Sequence, residues 1–371
     1  MKEEEKKYAT IHYQNYLGLD KILNAQNLRS ENVSDKIAHD EMLFIVIHQV
    51  YELWFKQIIH ELESIIELFA KDKVDERNIG LSVHRLERVI SIQKLLVEQI
   101  DVMETMTPLD FLEFRNHLFP ASGFQSFQFR KIENLLGLPD ERRLTYNGCP
   151  YHSVFTEEKK EELIELEAGT SLFTAIESWL ERTPFLKVGE FNFLENYKKA
   201  IRKMIDREEA AIKSSPYLTE EEVEMRLKML GSTDTYFDAV LDTSKHQEKI
   251  DRGDVRMSYK ATIAALLINL YRDEPILHLP FKLLTCIIEI DDMFTLWRYR
   301  HAQMVQRMLG NKIGTGGSSG HEYLVQTAKK HSIFNDLHKI ATLMIPRSDL
   351  PQLPSDLKKQ LSFYFTVQSN H

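Results

Sequence analysis

The sequence predicts an all-α fold, on three observations. Apolar residues recur at three- and four-residue spacing over two long segments, 39–71 and 79–103. No stretch shows the sustained apolar–polar alternation of a half-buried strand. Proline and glycine fall between the helical runs, where they act as punctuation. The expected architecture is a large helical bundle with a small inserted helical subdomain. Residues 1–30 form an N-terminal arm and helix, 31–184 and 256–371 the core, and 185–255 a charged helical insertion.

The elements follow in order. In 39–71, Leu43, Phe44, Ile47, Val50, Tyr51, Trp54, Ile58, Leu62, Ile65 and Ile66 form one stripe, with candidate caps at 34–40. Residues 79–103 read as a second long helix. Thr107 and Pro108 are an N-cap and first-turn proline with Asp110 in the first turn, and this helix runs to about Leu118 before Pro120 stops it. Between 140 and 253 charge clusters and turn signals recur, so more mobile helices are expected there. The bundle resumes at 257–271 and again at 280–310, and the last fifty or so residues read as one more helix and a Pro-punctuated tail.

Composition narrows the classes. A net charge of -9 argues against a nucleic-acid surface, which would carry a basic face. Cys149 and Cys286 are the only cysteines, too far apart in sequence for metal spacing, which suits a reducing cytosol. The charged start, MKEEEKKYAT, is not followed by an apolar core, so it does not read as a signal peptide. The longest nearly apolar run, 261–271, is about half of what a bilayer needs. The expectation is a cytoplasmic protein with neither nucleic-acid nor membrane partners.

Chemistry concentrates in LWRYRHAQMVQRMLGNKIGTGGSSGHEYL (296–324). Phe294, Trp297, His301, Met304, Val305 and Met308 share one helix face. An imidazole among an aromatic ring and thioethers is poorly solvated and stays neutral, the form that binds metals. The helix then enters a loop holding Gly310, Gly314, Gly316, Gly317 and Gly320, five of the 14 glycines. No Lys-Ser or Lys-Thr follows them, so this is no P-loop. A second histidine, His48, lies one turn from Phe44 and beside Tyr51. A single histidine on an apolar face is more often a satisfied core residue than a ligand; two of them, with a glycine-dense loop, point further. Arg115 follows Phe111 on the stripe of Leu118, and the turn Pro120-Ala121-Ser122-Gly123 offers small groups for close approach. Its planar guanidinium suits a carboxylate. Arg130 is a candidate partner for an anionic cofactor group. No His-Glu-x-x-His, Cys-x-x-Cys or Gly-x-Ser-x-Gly is present, so catalysis needs a prosthetic group with its own reactivity. Two embedded histidines with bulky aromatic and Met-lined faces suit a haem. Which histidine would ligate the iron is left open by the residues alone.

The segments HDEMLFIVIHQVYELWFKQI (39–58), ETMTPLDFLEFRNHLFPASGFQSFQFRKIENLLG (104–137), YRDEP (271–275) and 296–324 together resemble the tryptophan 2,3-dioxygenase family. YLGLDKILNAQ (16–26) and WLERTP (179–184) resemble its animal-type members, and the likeness is weakest over about 190–255. The resemblance implies a dioxygenase that inserts O2 across the indole C2–C3 bond of L-tryptophan to give N-formyl-L-kynurenine, the first step of tryptophan catabolism via kynurenine. It implies haem b, ferrous when active, with His301 as the axial metal ligand and Trp297 and Arg130 beside the cofactor. His48 would be the catalytic histidine facing the indole N–H. Phe44, Phe111, Leu118, Ser122 and Gly123 would wall the substrate pocket, Arg115 would hold the carboxylate, and Thr315 the ammonium group. The family implies a homotetramer in which Tyr13, Tyr16 and Leu17 of the arm reach a neighbouring subunit's site. The competing readings are a relaxed-specificity indoleamine-type dioxygenase, a non-catalytic haem sensor, and a purely structural helical scaffold with no cofactor.

Overall fold

The computed structural model describes residues 10–33, 35–145, 149–310, 312 and 320–362. Helices α1 (Tyr13–Leu17) and α2 (Leu19–Leu23) meet at Gly18, whose φ of 61° suits a residue without Cβ. A short α3 (Ser30–Val33) follows, and the Arg29 and Ser30 N–H groups both donate to the buried Glu41 carboxylate at the start of α4 (Glu41–Phe69). The C-terminal half of α4 lies in the core, with Ile58, Leu62 and Ile65 wholly buried. By length and composition alone α4 is apolar enough to cross a membrane, and 22% of that apolar window is buried within this chain.

Helix α5 (Glu76–Met103) starts earlier than its apolar period suggests. The Asp75 carboxylate accepts from the Asn78 N–H at 2.8 Å, a polar cap that hydrophobic spacing does not register. Helix α6 (Pro108–Arg115) carries the expected cap: Thr107 Oγ1 accepts from the Asp110 N–H while Asp110 accepts from Thr107. A 3-10 turn continues it through Leu118, and the chain then passes a cis Phe119–Pro120 bond. Helices α7 (Phe127–Leu136), α8 (Glu157–Ala168) and α9 (Leu172–Glu181) complete the first half. A two-residue hairpin, β1 (Lys187–Val188) with β2 (Phe191–Asn192), is the only sheet among the described residues.

The charged region forms α10 (Phe193–Ser214), α11 (Glu220–Leu241) and α12 (Thr243–Asp251). Helix α10 buries Phe193, Tyr197, Ile201, Met204 and Ile205 in the same apolar cluster as α4, α5 and α13 (Tyr259–Leu270). Helix α14 (Pro275–Leu309) begins ahead of the expected 280. Pro275 is its first residue, and Pro280 sits inside the second turn, where it forgoes only one backbone bond. It lies along α5, where Gln93 donates to the Ile290 carbonyl at 3.0 Å. Helix α15 (Gly320–Lys330) returns along α14, and α16 (Asn335–Lys339) and α17 (Ser355–Leu361) close the chain. The fold is all-α.

Candidate active site

The site gathers where the N-terminal half of α4, helix α6 and the last turns of α14 meet. A second, smaller apolar cluster joins them there: Phe44 and Ile47 from α4, Phe111 and Phe114 from α6, Leu118, and Met304 and Met308 from α14. The rings of Phe44, Phe111 and Phe114 interlock at centroid separations of 5.4–5.9 Å. These are the stacking distances at which aromatic pairs add to plain burial.

His48 leans on Phe44, ring centroids 4.1 Å apart, and its Nδ1 lies 2.7 Å from the Phe44 carbonyl oxygen. A carbonyl only accepts, so Nδ1 carries the proton of the neutral ring and Nε2 is left as an acceptor. The side chain is reachable by solvent yet crowded by protein. Burial depresses its pKa, against the opposing influence of the Phe44 carbonyl and Glu52.

His301 stacks on Trp297 at 5.3 Å, and Trp297 is itself boxed by Tyr51, Phe55 and Phe129. Burial, then the charge of His48, push its pKa down to about 4. Two consequences follow. The imidazole is neutral, hence able to ligate iron, at any pH well above that value. The two histidines also sense one another across the site, although 253 positions separate them in sequence. Among the described residues no three His, Cys, Asp or Glu side chains converge on a metal position. An iron at His301 must therefore bring most of its own ligands, and one neutral imidazole set among apolar and aromatic side chains fits a porphyrin.

The other predicted residues fall as follows. Arg115 is the half-buried last residue of α6. Ser122 caps a 3-10 turn, its Oγ accepting from the Phe124 N–H, and at Gly123 a Cβ would meet nothing within 4 Å. Phe124 packs edge-on against Tyr323 of α15 at 4.9 Å, bringing this turn to the far end of the glycine loop. Thr315 and its neighbours Gly314, Gly316 and Gly317 lie outside the described residues. Tyr13 and Tyr16 are 72% and 73% exposed, and Leu17 is 40% exposed; their helix packs chiefly on α2 rather than on this chain's own site.

Arg130 is buried, and it donates to Glu133 at 2.7 Å. Sequence reasoning missed what Glu133 gathers. Arg143 at 3.0 Å, Arg298 at 3.1 Å and the His331 ring at 3.3 Å all face the same wholly buried carboxylate. Burial alone would raise its pKa, but Arg130, His331, Arg143 and Arg298 hold it well below the usual carboxylate range. Arg298 sits one turn before His301, so this hub fixes the helix that presents the imidazole. The only trace in the sequence is Glu133 on the buried stripe of α7, three residues after Arg130. Two cavities outlined by the described residues lie elsewhere, one beside Arg143 and Lys329, the other beside Trp179 and Arg182.

Comparison with known proteins gives the family. A family model for tryptophan 2,3-dioxygenase matches residues 2–344. The chain is 48% identical over 359 residues to the tryptophan 2,3-dioxygenase of Bdellovibrio bacteriovorus, covering 97% of this chain and 100% of that one. It is 45% identical to that of Dictyostelium discoideum, covering 96% and 89% of the two chains. The figure for Xenopus laevis is 46%, covering 96% and 87%. The matched range takes in nearly the whole chain, and the chain belongs to the tryptophan 2,3-dioxygenase family.

Proposed function

We propose that this protein inserts both atoms of O2 across the C2–C3 bond of the L-tryptophan indole, giving N-formyl-L-kynurenine, with haem b held at His301. The observation that carries this reading is the pair of imidazoles from α4 and α14 near enough to influence one another, one stacked on Trp297 and the other anchored to a backbone carbonyl. When bound, ferrous haem supplies the iron that activates O2. The protein's own groups do the positioning. His48, its Nδ1–H committed to Phe44, offers Nε2 to the indole N–H and so orients the ring. Phe44, Phe111 and Leu118 wall the indole and exclude water. Arg115 grips the substrate carboxylate, Ser122 and Gly123 help to wall the pocket, and Thr315 holds the ammonium group. Trp297 stacks on the His301 ring and fixes its orientation, and Arg130, with Tyr323 beside it, would face an anionic group of the cofactor.

The assembly is a homotetramer in which Tyr13, Tyr16 and Leu17 cover the site of a neighbouring subunit. Their exposure, on a helix with little packing of its own, supports that reading. The protein acts in the cytoplasm, in keeping with two free cysteines. The charged region 185–255 is an insertion into the haem-binding core rather than part of the site.

The test is formation of the N-formyl-L-kynurenine ultraviolet chromophore from L-tryptophan under oxygen. In that assay Arg115→Leu is expected to lower kcat/KM by about 2–5 kcal/mol equivalent, the scale for removing one partner of a desolvated charge pair. An unchanged kcat/KM would remove Arg115 from the carboxylate site. His48→Ala is expected to lower turnover by roughly 10–100-fold without erasing it, because an orienting hydrogen bond is a partial contribution. Complete loss at normal haem content would make His48 an obligatory base instead.

A further inference from the structure

The cavity beside Arg143 has a volume of about 400 Å3, and nothing in the proposed reaction uses it. Its wall is made by Glu141, Arg142, Arg143 and Leu144 on one side, and by Lys329, Lys330, Ser332 and Asn335 at the end of α15 on the other. Four cations and one carboxylate face it, in a chain whose net charge is -9. Such a local reversal of sign draws anions to one place on an otherwise repelling surface.

The cations are under-used. No ion pair is found for Arg142, Lys329 or Lys330 among the described residues. The guanidinium of Arg142 reaches only the carbonyls of Ser332 and Gly253, at 3.4 and 3.5 Å, the long limit of a hydrogen bond. Arg142 and the nearby Arg256 repel one another. Arg143 is 4% exposed and spends its terminal nitrogens on Glu133, Asn134 and the Leu138 carbonyl, yet its buried Nε has no acceptor. Glu133 holds its own cations and Asp291 accepts from Ser332, Ile333 and Phe334, which leaves Glu141 as the one carboxylate set against the four cations of the cavity. Lys329 and Lys330 also occupy the last turn of α15, where their charge favours the helix terminus and remains available to a ligand.

We propose that this cavity binds a small dianion carrying carboxylate or phosphate groups. The volume suits a compact metabolite rather than a polymer. Arg143 joins the cavity wall to Glu133, and Glu133 joins Arg298 one turn from His301. An occupant would therefore pull on the same hub that positions the iron-binding helix.

Isothermal titration of the haem-loaded protein, in low-salt buffer without competing anions, with inorganic phosphate and separately with succinate, tests this. Saturable binding of at least one probe, one per chain and weakened by added chloride, is expected. In the double variant Lys329→Ala, Lys330→Ala it should weaken by roughly tenfold or more, as removing two charges from an anion site requires. Both lysines are exposed and touch no part of the tryptophan site, so basal kcat/KM should stay unchanged. Binding of phosphate alone assigns the site to phosphate esters, and binding of succinate alone to dicarboxylates. Failure of both probes to saturate, or undiminished binding in the double variant, would overturn the proposal. The readout is binding, so it stands apart from the test of dioxygenation.

Discussion

Replacing His301 with alanine is expected to yield a protein without haem and without tryptophan oxidation. The imidazole is the one neutral nitrogen donor stacked into the aromatic box of Trp297, Tyr51 and Phe129. A pKa pushed down to about 4 keeps its lone pair available throughout the neutral range. No trio of metal-binding side chains exists among the described residues to take its place. Loss of even a supporting residue around a metal weakens binding by roughly 10–100-fold, so loss of the ligand itself should exceed that range. The measurement is the Soret absorbance per chain after purification, with circular dichroism to show that the helices persist. A full haem load in the variant would place the iron elsewhere.

Replacing Glu133 with glutamine should destabilise the protein by about 3–5 kcal/mol, the range for stripping one partner from a buried ion cluster. Three guanidinium groups would then share an interior without their carboxylate, each desolvated and facing the others. The pH dependence has a definite sign. The folded pKa of Glu133 lies well below its ordinary value of 4.5, so its contribution is complete above about that pH and is lost as pH falls through the depressed folded value. The wild type should therefore lose stability on acidification below about 4.5, and the variant, already lacking the contribution, should lose less. Urea unfolding followed at neutral and acidic pH reads both effects. A variant within about 1 kcal/mol of wild type would mean that water reaches the cluster. Because Arg298 lies one turn from His301, a broadened or shifted Soret band should accompany the instability.

Much of the site could be read along the chain. The stripe through Phe44 and His48, the Thr107–Asp110 cap and the apolar face around His301 are each local, set by a period of 3.6 residues and by side chains that reach one turn. Both departures at helix starts have local polar causes as well. Asp75 begins α5 before its apolar pattern starts, and Pro280 is tolerated in the second turn of α14 once Pro275 has begun the helix. Hydrophobic spacing alone overlooks such features.

Sequence by itself determined that the chain would be helical, that two imidazoles would be turned toward apolar surroundings, and that one helix would run into a glycine-dense loop. Only the tertiary structure decided that His48 and His301 come near enough to influence one another and that Glu133 gathers three arginines and a histidine. Arg298 and His331 lie 165 and 198 positions from Glu133. The physical reason is range: helix periodicity and caps act over a few residues, whereas charges and desolvation act through space between segments that only the fold brings together.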